Sequence, residues 1–138
     1  MAYQSVGVVC DVESLRGLAQ PLIPAQHPGV GYVTVHSPQV SDVFWPRLDS
    51  VFPGKWHQAF LSTIWHNGSI APHCDALAEG QRFHVVLESN PDAWLLHGGV
   101  WTQPLTGHIY TMDPIIEHAS VNWGHPPRTL LVINATPR

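Results

Sequence analysis

The sequence predicts a mainly β domain, a sandwich or barrel, preceded by a short N-terminal segment with one or two helices. Three observations predict it. From residue 59 onward the chain reads as short runs rich in β-branched, aromatic and apolar residues: "AFLSTIW", "RFHVVLES", "AWLLHGG", "GHIYTMD", "HASVNW" and "RTLLVINA". Turn formers separate these runs, namely Asn67-Gly68, Asn90-Pro91, Gly98-Gly99 and Gly124 with Pro126-Pro127. Many short strands at near-regular spacing pack as a sandwich or barrel. Residues 1–58 differ in character, mixing short apolar pieces with prolines at 21, 24, 28, 38, 46 and 53. The expected organisation is one domain, with an α/β segment over 1–58 packed on a β core over 59–138.

In chain order, "MAYQSVGVVCDVESL" lacks a basic region before its apolar stretch, so it does not read as a signal peptide. "GYVTVHS" reads as a short strand. In "SPQVSDVFWPRLDSVF", Val40, Val43, Phe44, Leu48 and Val51 recur at three- and four-residue steps, the mark of an amphipathic helix. Pro46 should break this helix or kink it, because proline removes a backbone donor and crowds the preceding turn. Asn67-Gly68 predicts a tight hairpin from "AFLSTIW" into "SIAPHCD". Trp65, Trp94, Trp101 and Trp123 are expected to pack between sheets, with one or two lining a mouth.

Composition narrows the partners. The chain has 138 residues, 44% hydrophobic and 12% charged, with net charge −4, which is ordinary for a soluble globular domain. Six Lys and Arg are too few for a surface built on phosphate contacts, so nucleic acid is not an expected partner. No apolar run approaches membrane-spanning length. Cys10 and Cys74 form no CxxC pair or disulfide framework, which fits a reducing, cytoplasmic setting. Cys74 is expected to face away from its neighbours into the core.

The chemistry concentrates in "HCDALAEGQRFH", residues 73–84. His73 and Asp75 would share one face of an extended strand, and Arg82 and His84 repeat that spacing. Two His and one carboxylate suit non-haem Fe(II), taking one face of the metal and leaving positions open. His118, in "IIEHASVN", is the natural third ligand, brought in only by the fold. Arg128 follows ten residues later and can grip a carboxylate at two points. The "NWGHPP" loop is expected to set Arg128 on the strand beside that of His118, and an iron face next to a carboxylate clamp makes a 2-oxoglutarate pocket. Plainer readings stand beside this one. His73 with Asp75 could be a hydrogen-bonded pair at a turn, Arg82 a solvated strand end, and Ser62 filler. His27, His36, His57, His66, His97, His108 and His125 read as surface or satisfied core. A passive, cupin-like binding barrel would not need Arg128. A zinc hydrolase would need a general base, with Glu79 and Glu117 as candidates.

"SIAPHCD", "RFHVVLESN", "GHIYTMD" and "EHASVNWGHPPR", across roughly residues 60–135, resemble the aspartyl/asparaginyl β-hydroxylase branch of the Fe(II)/2-oxoglutarate oxygenases. The resemblance implies a double-stranded β-helix, or jelly roll, that uses Fe(II), 2-oxoglutarate and O2. It implies that His73, Asp75 and His118 bind iron. It assigns the distal carboxylate of 2-oxoglutarate to Arg128 and Ser62, and the metal-side carboxylate to Arg82 and His84. Asp75 is present here as in the bacterial free-amino-acid hydroxylases of this branch, whereas the vertebrate peptide hydroxylase lacks that carboxylate. Residues 1–58 do not resemble the tandem-repeat domain that recruits peptides in the vertebrate enzyme. The expected substrate is an amino acid or small derivative first, a peptidyl Asp or Asn second. Any substrate carboxylate would be met by Arg47 or Lys55, or by neutral donors.

Overall fold

The computed structural model describes residues 2–36, 38–48, 54–76 and 81–137. Among the described residues ten strands form two antiparallel sheets. The larger sheet has six strands: β1 (Gln4–Val8), β2 (Tyr32–Val35), β3 (Gly54–Ile64), β5 (Gln81–Glu88), β8 (His108–Met112) and β10 (Arg128–Pro137). Their order is β1-β8-β5-β10-β3-β2. The smaller sheet holds β4 (Gly68–His73), β6 (Ala93–His97), β7 (Val100–Thr102) and β9 (His118–Asn122), in the order β4-β9-β6-β7. Two facing antiparallel sheets with chain crossing repeatedly between them make a double-stranded β-helix. Among the described residues there are also two α-helices, α1 (Val12–Ala19) and α2 (Pro38–Leu48), and a short 3-10 helix, Gln20–Leu22, that continues α1. No helix among the described residues is long and apolar enough to cross a membrane.

The central strands of the larger sheet, β3, β5, β8 and β10, are buried on both faces, which explains why they read as almost continuous apolar runs, while the edge strands β1 and β2 are exposed or only half-buried. One face packs under the helices. Leu131, Ile133 and Ala135 of β10, Val85 and Leu87 of β5, and Ala59 and Leu61 of β3 meet Leu15 and Ala19 of α1 and Val40, Phe44 and Leu48 of α2. The alternate residues of the same strands point to the other sheet: Arg128, Leu130 and Val132; Arg82 and His84; Ser62. Strand period two thus sends apolar side chains to one side and the chemistry to the other.

The helices follow local rules. Asp11 caps α1, its carboxylate accepting from Ser14 N at 3.1 Å. In α2, Val40, Phe44 and Leu48 recur every fourth residue on the buried face, and the helix runs on through Pro46 into its last turn. Val51 lies outside the described residues.

Two connections differ from expectation. The Asn67-Gly68 turn is present, with Asn67 at φ 60° and Gly68 N donating to Trp65 O at 2.9 Å. It does not close a hairpin, because β3 and β4 lie in different sheets. The second difference concerns Arg128. It lies on β10 of the larger sheet, whereas His118 lies on β9 of the smaller, so they face each other across the barrel rather than from neighbouring strands. Asn122, fully buried, holds this crossing: its Nδ2 donates to Ile64 O (2.9 Å) and Pro126 O (3.0 Å), and its Oδ1 accepts from Gly124 N (3.0 Å) and Asn90 Nδ2 (3.0 Å). Gly98 and Gly99, at φ 56° and 80°, close a true hairpin between β6 and β7.

Candidate functional site

One cavity between the sheets is lined by Ser62, His73, Asp75, Arg82, His84, His118 and Arg128, together with Ile70, Leu95, Ser120, Leu130 and Val132. All seven site residues singled out in the sequence therefore meet there. His73 arrives by way of an irregularity. Ile70 pairs with Ser120 and His73 with His118, so β4 spends one residue more than β9 over that interval. A bulge of this kind turns a strand, which lets Ile70 and His73 share the cavity despite their odd spacing. Asp75 follows the strand end, anchored by its N–H to Pro114 O at 2.8 Å.

Three side chains converge at the mouth. Asp75 Oδ2 lies 3.5 Å from His73 Nε2 and 3.4 Å from His118 Nε2. The three residues offer ligand atoms all within 4.8 Å of one another. Each imidazole is oriented by a backbone carbonyl, which can only accept: His73 Nδ1 donates to Ala71 O at 2.8 Å and His118 Nδ1 to Ile116 O at 2.7 Å. In the neutral rings this leaves both Nε2 lone pairs aimed at the same point, the tautomer a metal ligand needs. Burial pulls the His118 pKa below its usual value, with His73 and Arg82 adding to the effect against the Ile116 carbonyl and Asp75. Burial would raise Asp75, but the hydrogen bond and charge of Arg82, helped by His73 and His118, hold its carboxyl below the usual range. The donor set is the one that suits a divalent transition metal with open coordination positions.

Arg82 is engaged on two sides, with Nη1 donating to Asp75 Oδ2 at 2.7 Å and Nε to Asn134 Oδ1 at 2.9 Å. Burial drives the His84 pKa well down, and the charges of Arg128 and Arg82 push the same way, so its ring is neutral at physiological pH.

Among the described residues Arg128 is the most deeply buried charged side chain. It is 1% exposed, and its Nη2 donates to Ser62 Oγ at 3.0 Å, while its buried Nε has no hydrogen-bond partner. Among the described residues it makes no ion pair. Burial brings its pKa down to about 10, opposed by Tyr3, so it remains charged at neutral pH. A buried, unpaired guanidinium is costly without an anion, and the cavity it lines is where one would fit.

Several expectations fail at the periphery. Cys74 is exposed, not core, and Cys10 is exposed as well. Trp94, Trp101 and Trp123 line a separate cleft, and Trp101 and Trp123 are exposed rather than packed between sheets. Arg47 lies away from the cavity, its Nη1 3.5 Å from Ser14 Oγ between the helices, so it does not meet a ligand there. The side chain of Lys55 and the whole of Glu79 lie outside the described residues. Glu117 is exposed and does not line the cavity, which leaves a hydrolytic reading without that base. Sequence reasoning also missed Tyr3, whose hydroxyl lies 3.0 Å from His84 Nδ1. Its only signal was an aromatic residue at the edge of an apolar run.

Comparison with known proteins supports this picture. No curated protein sequence matches the chain. Among solved structures, an uncharacterised double-stranded β-helix protein from Klebsiella pneumoniae superposes with TM-score 0.57 at 17% identity, covering 88% of each chain. A cupin superfamily protein from Desulfitobacterium hafniense gives 0.54 at 12%, covering 84% of this chain and 85% of that one. Salicylate 1,2-dioxygenase from Pseudoaminobacter salicylatoxidans gives 0.52 at 10%, covering 89% of this chain and 30% of that one. These likenesses establish the fold. The sequence model of the aspartyl/asparaginyl beta-hydroxylases matches residues 36–137, a stretch that contains every residue lining the cavity. The chain belongs to the aspartyl/asparaginyl beta-hydroxylase family.

Proposed function

We propose that the protein is an Fe(II)/2-oxoglutarate-dependent hydroxylase acting on a C–H bond of an amino acid, an amino-acid derivative or a peptidyl Asp or Asn. One observation carries this reading: a His-Asp-His ligand set and a buried, unpaired Arg128 share one cavity. The metal set alone fits many barrels. A buried guanidinium with no ion-pair partner among the described residues and an unsatisfied Nε adds a demand for a carboxylate, and 2-oxoglutarate has one at each end.

His73, Asp75 and His118 would hold the iron. Arg128, with Ser62 beside it, would grip the distal carboxylate, and Arg82 and His84 would receive the metal-side carboxylate. When bound, the iron, co-substrate and O2 would supply oxidation of the C–H bond coupled to loss of CO2 from 2-oxoglutarate. The chain's own contribution is placement. Arg82 keeps Asp75 ionised, the Ala71 and Ile116 carbonyls hold both imidazoles in the ligating tautomer, and Ile70, Leu95, Leu130 and Val132 exclude water from the cavity walls. Two exposed free cysteines fit a cytoplasmic setting.

Purified protein with Fe(II), O2 and 2-oxoglutarate, assayed for succinate against a panel of free amino acids and Asp- or Asn-containing peptides, tests the proposal. Succinate formed with hydroxylated product supports it. Metal binding without succinate under any substrate points instead to a passive cupin-like module, and turnover with zinc alone to a hydrolase.

A further inference from the structure

Tyr3 lies outside the stretch that matches the family, just before β1, the outermost strand of the larger sheet on that side. It is nevertheless 7% exposed and belongs to the inner core with Leu95, Leu130 and Val132. Its ring stacks on Tyr110 with centroids 4.7 Å apart and planes 5° from parallel, and it meets His84 edge-on at 5.5 Å. The strands fix this arrangement: Ser5 of β1 pairs with Tyr110 of β8, and Tyr110 pairs with His84 of β5.

The contact between the Tyr3 hydroxyl and His84 Nδ1, at 3.0 Å, has two possible directions of donation. Chemistry selects one. Burial drives the Tyr3 phenol far above its usual pKa, so it carries its proton. Burial and neighbouring charges keep His84 neutral, so its ring has one N–H and one lone pair. Were the ring proton on Nδ1, it would donate to the phenol oxygen, and the phenolic proton would need a second acceptor. Among the described residues, His84 is the hydrogen-bond partner the Tyr3 hydroxyl has. A buried donor left unmade is costly. The consistent arrangement has Tyr3 O–H donating to Nδ1, which puts the imidazole proton on Nε2.

We propose that Tyr3 is a positioning residue that locks His84 as the Nε2–H tautomer, so that the ring presents a hydrogen-bond donor to the carboxylate of a ligand in the cavity. Without this constraint a neutral imidazole could offer a lone pair there, which would repel an anion. The tautomer follows from the fold alone. Its use on 2-oxoglutarate rests on the function proposed above.

The test separates these two parts. In metal-free protein labelled with 15N-histidine, long-range 1H–15N spectra at pH 7.5, with His84 assigned by its loss in His84→Gln, should show Nε2 protonated and Nδ1 bare. Tyr3→Phe keeps the stacked ring and removes only the hydroxyl, and should shift His84 towards a mixture of tautomers. With Mn(II) as an inert metal, 2-oxoglutarate affinity should fall about tenfold in Tyr3→Phe, the order expected for weakening one hydrogen bond to a charged group. The same substitution in a His84→Gln background should change affinity by less than about twofold, since an amide needs no tautomer set for it. A protonated Nδ1 in the wild-type protein overturns the inference whatever the variants do. So does an unchanged tautomer in Tyr3→Phe, or a changed tautomer with unchanged affinity. If the wild-type protein binds no 2-oxoglutarate, the co-substrate role falls together with the proposed function, and the spectra still decide whether Tyr3 sets the ring.

Discussion

Arg82 donates from Nη1 to Asp75 Oδ2 across 2.7 Å, and that same oxygen is the one facing the Nε2 atoms of His73 and His118. The candidate metal carboxylate is thus charged and aimed before any metal arrives. Asp75→Ala should weaken metal binding by at least the roughly 10- to 100-fold that loss of an outer-shell partner costs. His118→Ala should abolish loading at micromolar metal, because no other described His, Cys, Asp or Glu lies within the cluster to replace it. Calorimetric titration with Mn(II) or Fe(II) under nitrogen checks both. Wild-type affinity in His118→Ala would remove that residue from the site.

Stability should fall with acid in a way traceable to His84. Its folded-state pKa lies well below the ordinary 6.5, so as pH drops through about 6.5 the unfolded chain takes up a proton that the folded chain refuses. Each such group tilts stability by up to about 1.4 kcal/mol per pH unit below that point, and contributes no tilt above it. His118, also depressed, acts in the same direction in metal-free protein. Urea unfolding between pH 7.5 and 5 should therefore steepen below 6.5, and His84→Gln should lose about one proton's worth of that slope. An unchanged slope in the variant would show that His84 is charged in the folded protein.

The crossing from β9 to β10 should be intolerant of a single methyl group. A Cβ on Gly124 would lie 2.0 Å from Asn90 Oδ1, inside the network that Asn122 organises. Gly124→Ala should cost about 1–3 kcal/mol, as overpacking typically does, read as a shift in the urea midpoint. Metal affinity at temperatures where the variant is folded should be nearly unchanged, because the candidate metal ligands lie on β4, β9 and the segment after β4. A neutral substitution would mean that the Asn90 side chain moves aside freely.

Most strands were legible because they carry β-branched and apolar residues between strong turn signals; β1, mostly exposed, and the three-residue β7 were not, since neither shows a long apolar run. The partnership of sheets was not. Asn67-Gly68 turns the chain tightly whether it pairs with what precedes it or crosses to the other sheet, and only the barrel decides. The same ambiguity misplaced Arg128, which faces His118 from the opposite sheet. The site survived this error, since inward-facing residues of both sheets meet in the same cavity. The His73–Asp75 and Arg82–His84 pairs were readable from their spacing, with the family resemblance supplying roles. The bulge that aims His73 was invisible, as was Tyr3, because nothing near Tyr3 in the chain marks a partner 81 residues away. The outward tryptophans Trp101 and Trp123 misled because a large apolar residue in a strand is usually taken for core.

The most direct measurement is the anaerobic titration of the Fe(II)-loaded protein with 2-oxoglutarate, in wild type and in Arg128→Ala. Wild type should bind one equivalent and develop the weak visible absorption of a keto acid chelated to iron. Removing one member of a buried charge pair costs about 2–5 kcal/mol, so Arg128→Ala should bind 2-oxoglutarate roughly 30- to several-thousand-fold more weakly, with iron affinity unchanged. Arg128→Lys should recover part of the loss, lacking the two-point contact. A colourless wild-type mixture, or an Ala variant with wild-type 2-oxoglutarate affinity, would contradict the assignment of this cavity to 2-oxoglutarate.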